Sequence, residues 1–147
     1  MDELIRRFMS WDGCIRESTE WFDKHFTQAT GLDIYSYGFE PAEGWQIIED
    51  KSWRVLVLRF EDIGVNHLEA LNAFIRKKYG GKIVLQKLMN RNLSSGKWYA
   101  DLMADFYQSI TFTSREMTEA YDSKYAKYFY SPEELARMRG RWSIVDY

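Results

Sequence analysis

The chain has 147 residues, 46% of them hydrophobic and 29% charged, with 20 Lys and Arg against 22 Asp and Glu. That length suits one domain with a sizeable core, and the interleaved, near-balanced charge argues against a nucleic-acid surface, which shows as a strongly basic balance. Cys14 is the only cysteine, which excludes an intrachain disulfide and fits a reducing compartment.

No apolar run approaches the roughly 20 residues of a membrane span, and "MDELIRRFMSWDG" is too charged for a signal peptide. A cytoplasmic protein is expected. Aromatic residues make up 17% of the chain. They bury large areas while Tyr and Trp keep a polar handle, so a ring-rich core with some rings lining a groove is anticipated.

Leu4, Ile5, Phe8 and Met9 recur at helical spacing, and "SWDG" (Ser10 to Gly13) stops that first helix. A second helix is expected from about Ile15 to Ala29, with Ile15, Thr19, Phe22, Phe26 and Ala29 on one face and Gly31 as its stop. "LDIYSYGFEPAEG" leads into a turn around Pro41 and Gly44. "WQIIE" (Trp45 to Glu49) and "WRVLVLRF" (Trp53 to Phe60) are spaced for a hairpin. The unbroken apolar run Val55 to Leu58 suggests that the second strand is covered on both faces.

A helix from about His67 to Tyr79 follows, with Leu68, Leu71, Phe74 and Ile75 as its buried stripe and Arg76, Lys77 and Lys78 in its last turn, where cations favour the dipole. "KIVLQKL" (Lys82 to Leu88) reads as a further strand. Three more helices are expected. Trp98, Leu102, Phe106 and Ile110 recur every four residues on the first; Thr113 with Glu116 matches a capping box for the second, and Ser131-Pro132-Glu133-Glu134 for the third.

The pair Gly96-Lys97 in "NRNLSSGKWYADL" invites a phosphate-loop reading. A Walker loop needs G-x-x-x-x-G-K-[ST], so that backbone amides and the Lys converge on phosphates at a helix start. Here Trp98 stands where the hydroxyl belongs and Arg91 where the first glycine belongs. Gly80-Gly81-Lys82 precedes a strand candidate, the wrong side of the element. "SSGK" entering a helix still offers amides, hydroxyls and a cation to an anion; the alternative is that Ser94 or Ser95 caps the helix.

His25 and His67 lack a second His or carboxylate at ligand spacing, so no metal site is expected. Cys14 reads as a small idle thiol. Glu61-Asp62 stands directly after a strand, where ligand groups commonly sit in open α/β sheets. Its alternative role is to tie the loop, with Asp62 on the amides and Glu61 on a base such as Arg59. "YDSKYAKYFY" (Tyr121 to Tyr130) has the composition of a stacking wall for a sugar or base, or of helical packing.

Several of these segments together resemble a family. "VLVLRFEDI" followed by "LEALNAFI" is similar to the strand, Glu-Asp pair and helix of the later half of sulfotransferase folds. The wider set resembles the capsular polysaccharide synthesis proteins, a sulfotransferase-like family with a Lys-Trp-Tyr signature. Its pieces are "EWFDKHFTQATGLDIYSYGF" (Glu20 to Phe39), "GWQII", "VLVLRFED", Asn92 with "KWY" (Lys97 to Tyr99), "YDSKY" (Tyr121 to Tyr125) and "FYSPEEL" (Phe129 to Leu135).

The resemblance implies an α/β, mainly helical fold, with a small sheet and flanking helices. It is that of the C-terminal part of a sulfotransferase-type P-loop fold without the P-loop, in a single domain over residues 1–147. It also implies phosphoadenosine phosphosulfate as donor and a saccharide as acceptor. The family's grips on the 5′-phosphosulfate and the 3′-phosphate would both lie upstream of the region resembled. The chain is therefore expected to hold no cofactor and to be inactive alone, as a C-terminal piece, a short relative, or one half of an assembly. No catalytic residue can be named. Asn92, Lys97, Trp98, Tyr99, Lys124 and Tyr125 are the expected ligand contacts, with Glu61 and Asp62 behind them; Lys97 would meet the donor's 3′-phosphate from a late loop. The competing expectation is a non-enzymatic interaction module, homodimeric through its aromatics, or a carbohydrate-binding module.

Overall fold

Helices, a hairpin and more helices follow one another along the chain in the computed structural model, which describes residues 2–9, 14–50, 52–62, 64–88 and 96–144. The elements in order are α1 (Asp2–Met9), α2 (Cys14–Trp21), a π-helical segment (Phe22–Phe26), α3 (Thr27–Thr30), a 3-10 turn (Ile34–Ser36), β1 (Trp45–Asp50) and β2 (Trp53–Leu58). A second 3-10 turn (Phe60–Asp62) precedes α4 (His67–Tyr79), α5 (Ala100–Ser109), β3 (Thr111–Phe112), α6 (Ser114–Tyr121), α7 (Lys124–Phe129), α8 (Pro132–Arg139) and β4 (Ser143–Ile144). The fold is mainly helical α/β. The "SWDG" stop lies outside the described residues.

The chain divides into two compact units. One comprises residues 22–89, and the other joins residues 1–21 to residues 90–147.

In the first unit the expected helix does end at Gly31, whose φ of 71° admits the left-handed turn and whose N–H donates to the Thr27 carbonyl at 2.8 Å. Its middle is π-helical, which the apolar spacing did not foretell; Thr27 Oγ1 donates to the Phe22 carbonyl five residues back. The hairpin forms as expected. β1 and β2 pair antiparallel from Trp45 opposite Leu58 to Asp50 opposite Trp53, so Asp50 belongs to the strand rather than the loop. α4 packs on both strands and stops at Gly80, again left-handed, with φ 60°.

Leu32, Ile34, Ile48, Val57 and Ala70 are buried in this unit. Val55, Leu56 and Leu58 are only half-buried. A two-stranded ribbon under one helix cannot cover both faces of β2 as a larger sheet would. Residues 82–88, expected as a strand, form no ladder among the described residues. Their backbone is held by a side chain instead: Asn72 Nδ2 donates to the Leu85 carbonyl at 3.0 Å, and the Leu85 N–H donates to Asn72 Oδ1 at 2.7 Å. The amide group imitates one residue of a neighbouring strand.

In the second unit α2 packs on α6 and α7, and α6 packs on α7, α8 and β3. Phe106, Ile110, Met117, Ala126, Phe129 and Tyr130 form its buried residues. β3 and β4 pair in parallel over two residues each, a contact too short for any strand pattern to announce. Both expected capping boxes are present. Thr113 Oγ1 accepts from the Glu116 N–H and Ser131 Oγ from the Glu134 N–H, both at 3.2 Å, while each glutamate reaches back to the cap N–H. Ser123 caps α7 by accepting from the Ala126 N–H.

Candidate functional site

The sequence-predicted contact residues fall in both units. Lys97, Trp98 and Tyr99 lie just before α5. The Ala100 N–H donates to the Lys97 carbonyl at 3.0 Å, making a turn of this tripeptide, and α5 begins only at Ala100 with Tyr99 in the cap position and no side-chain cap. Gly96-Lys97 therefore lies ahead of α5, in the turn that leads into it, rather than among its first residues. Ser94, Ser95 and Asn92 lie outside the described residues.

Trp98 does not share the buried stripe expected of it. Phe106 and Ile110 are buried, but Leu102 is 48% exposed and Trp98 is 91% exposed, because Trp98 stands before the helix whose face would have carried it inward. Its ring meets Tyr99 edge-on at 5.5 Å between centroids. Exposed Lys97 stands beside it. An exposed indole, a phenol and an ammonium in consecutive positions can stack on a ring and pair with an anion.

Lys124 and Tyr125 open α7 in the same unit. Lys124 is exposed, whereas Tyr125 is half-buried with its ring 5.0 Å from Phe129 and 6.5 Å from Tyr130. Much of "YDSKYAKYFY" is thus packing. Its neighbour Asp122 is held by Arg139 Nη2 at 2.5 Å and by Lys127 Nζ at 3.5 Å. The Arg139 hydrogen bond, aided by Lys127, keeps its carboxyl below the usual range. Tyr121, Asp122, Lys127, Tyr130 and Arg139 line a cavity of about 470 Å³.

Glu61 and Asp62 belong to the other unit. Asp62 is a structural group: its Oδ2 accepts from Arg59 Nε at 2.7 Å, and Arg59 is almost fully buried. The Arg59 N–H donates to the Gly44 carbonyl, and the Arg59 carbonyl receives His67 Nε2 at 2.8 Å. Because a carbonyl only accepts, that contact sets the proton of buried His67 on Nε2. Asn66 Nδ2 adds a hydrogen bond to the Glu43 carbonyl. The knot joins the start of β1, the end of β2 and the start of α4. Asp62 binds Arg59 through its side chain and receives the Val65 amide on its carbonyl, combining the two loop-tying roles that the sequence divided between Glu61 and Asp62. Glu61 is exposed.

One concavity escaped the sequence reading altogether. Glu49, Asp50, Trp53 and Arg54 of the hairpin and Phe74, Ile75, Lys77, Lys78 and Tyr79 of α4 line a cleft of about 840 Å³, a size usual for ligand pockets. Arg54 Nη1 donates to the Phe74 carbonyl at 2.5 Å, and its guanidinium lies 4.8 Å from the Phe74 ring centre. Arg54 Nε is 2.6 Å from Glu49 Oε1, in ion-pair rather than hydrogen-bond alignment; Lys77 also pairs with Glu49. The Tyr37 hydroxyl donates to Asp50 Oδ2 at 2.5 Å, a bond that raises the Tyr37 pKa. The run Arg76-Lys77-Lys78 was the available signal, but helix-dipole complementarity already explained it.

Among the described residues no group of three His, Cys, Asp or Glu could hold a metal ion, and no helix is long and apolar enough to cross a membrane.

These features define a mainly helical α/β protein with solvent-facing aromatic and basic groups. A family model described as "Putative capsular polysaccharide synthesis protein" (NKWYS) matches residues 7–131, and the chain belongs to that family. The match begins before Glu20, where the quoted segments began, and ends within "FYSPEEL". No curated protein and no solved structure matches the chain.

Proposed function

We propose that this chain is a sulfotransferase-like protein of capsular polysaccharide synthesis that binds an anionic ligand through Lys97, Trp98 and Tyr99 and does not transfer sulfate by itself. The observation that carries the ligand contact is the 91% exposure of Trp98 beside Lys97. An indole left outside any core loses the burial worth about 1.5–3 kcal/mol to a large apolar side chain, and a stacking role gives it a use. The sulfotransferase likeness is supported by the succession of β2, the Glu61-Asp62 turn and α4 in the expected order. The proposal that the chain does not transfer sulfate by itself is supported by the lack of a G-x-x-x-x-G-K-[ST] run in the given sequence. Phosphoadenosine phosphosulfate is the donor class this reading implies, supplied to a reaction in which the chain contributes contacts. Lys124 and Tyr125 of the same unit are the further contacts of this reading, and Asn92 is one by the sequence resemblance alone; Asp62 is taken up by the Arg59 knot.

Calorimetric titration with adenosine 3′,5′-bisphosphate tests the reading. The folded chain is expected to bind it, and Lys97→Ala to weaken binding about tenfold, as the loss of one charge-assisted contact implies. Binding unchanged in Lys97→Ala, or none by the folded protein, would remove the nucleotide from the proposal.

A second reading, a protein-interaction module, is favoured by Phe60 and Val65, which are 80% and 77% exposed around the Glu61-Asp62 turn. On that reading the chain dimerises, and Phe60→Ser shifts the sedimentation profile to monomer. A parent chain that sediments as a monomer throughout the micromolar range would eliminate it.

A further inference from the structure

We infer that the cleft between the β1–β2 hairpin and the second half of α4 is a saccharide site that takes an acidic oligosaccharide. The inference rests on the polysaccharide reading of the family and on no transfer chemistry. None of the residues proposed above for nucleotide contact lines this cleft.

The cleft offers stacking surface on two sides. Trp53 of the hairpin is 44% exposed and Tyr79 of the helix 41% exposed. Pyranose rings present C–H faces to such surfaces, and an aromatic side chain supplies contact area at the cost of few torsions. The lining also carries two carboxylates, Glu49 and Asp50, which can accept from sugar hydroxyls. Both are held in place, Glu49 by Arg54 and Lys77, Asp50 by the Tyr37 hydroxyl. Fixed acceptors recognise a polyol with little ordering cost on binding.

Charge then selects among hydroxyl-rich ligands. Arg54 is committed to Glu49 and the Phe74 carbonyl, and Lys77 to Glu49. Lys78 has no carboxylate partner among the described residues; its Nζ lies 5.3 Å from the Tyr79 ring centre. A ligand carboxylate meeting Lys78 would gain a charge-assisted contact while the sugar stacks on the neighbouring ring. The lining therefore matches a hydroxyl-rich sugar chain that brings a carboxylate within reach of Lys78.

The test is calorimetry on the intact chain with two probes, tetragalacturonate and neutral maltotetraose. Tetragalacturonate is expected to bind the more tightly. Trp53→Leu should weaken both probes about tenfold, and Lys78→Gln should lower tetragalacturonate to the maltotetraose level while leaving maltotetraose unchanged. Both positions are exposed, and circular dichroism checks that each variant is folded; Tyr79→Leu serves in place of Trp53→Leu, and Lys78→Ala in place of Lys78→Gln, where either is not. No tetragalacturonate binding by the folded parent chain would overturn the inference, as would affinities unaltered in these variants. So would competition by adenosine 3′,5′-bisphosphate that persists in Lys97→Ala, which would mark the cleft as a phosphate site. Saccharide binding without any bisphosphate binding would remove the nucleotide reading alone. Bisphosphate binding lost in Lys97→Ala, with no saccharide binding, would remove only this one.

Discussion

Gly44→Ala is expected to destabilise the hairpin unit by about 4–5 kcal/mol, measured by urea unfolding. Two causes combine. Gly44 has φ +72°, where a Cβ costs about 1–2 kcal/mol. The added Cβ would also stand 2.2 Å from Asp62 Oδ2, so the carboxylate must leave its place against Arg59 Nε. Arg59 is 9% exposed, and a buried guanidinium deprived of its partner costs about 3 kcal/mol, at the low end because Asp62 itself is partly solvated. A double-mutant cycle separates the causes. In an Asp62→Ala background Gly44→Ala should cost only the backbone contribution of about 1–2 kcal/mol. Full additivity of the two substitutions would show that Gly44 does not act through Asp62.

Phe129→Ala should cost about 3–5 kcal/mol by the same measurement, whereas Trp98→Ala should stay within about 0.5 kcal/mol of the parent chain. Phe129 is 3% exposed and holds Tyr125 and Tyr128 at ring-centre distances of 5.0 and 4.8 Å. Its removal leaves a cavity amid rings too large to collapse into it. Trp98 is solvated on nearly every side, so its loss should appear in adenosine 3′,5′-bisphosphate binding and not in unfolding. A large stability loss in Trp98→Ala would assign that indole to packing and withdraw it from the site.

That contrast also explains what the sequence could express. Elements governed by neighbours in the chain were legible. α4 runs from His67 to Tyr79 as its apolar spacing and following glycines imply, the boxes at Thr113 and Ser131 are present, and the hairpin forms between the two segments spaced for it. What depends on distant partners was not. Residues 83–88 have the composition of a strand but meet the side chain of Asn72 rather than another strand, and β3 pairs with β4 across three intervening helices. Period-four spacing placed Trp98 with Phe106 and Ile110, yet the helix starts too late to include it. The cleft was hidden for a different reason. Trp53, Arg54, Lys78 and Tyr79 each had an adequate local explanation, and only the packing of α4 across the hairpin gathers them.

The division of the chain carries a consequence for its synthesis. Residues 22–89 form a continuous stretch, so the hairpin and α4 can close on one another as soon as that stretch has left the ribosome. α2 is made earlier but packs on α6 and α7, which are translated only after the whole intervening unit. At about 5–20 residues per second, α2 waits seconds for its partners, while a unit begun after it is already complete. Order of manufacture and order of assembly are thus inverted in this protein, and the nascent α2 is the segment that a chaperone at the exit tunnel would have to shield.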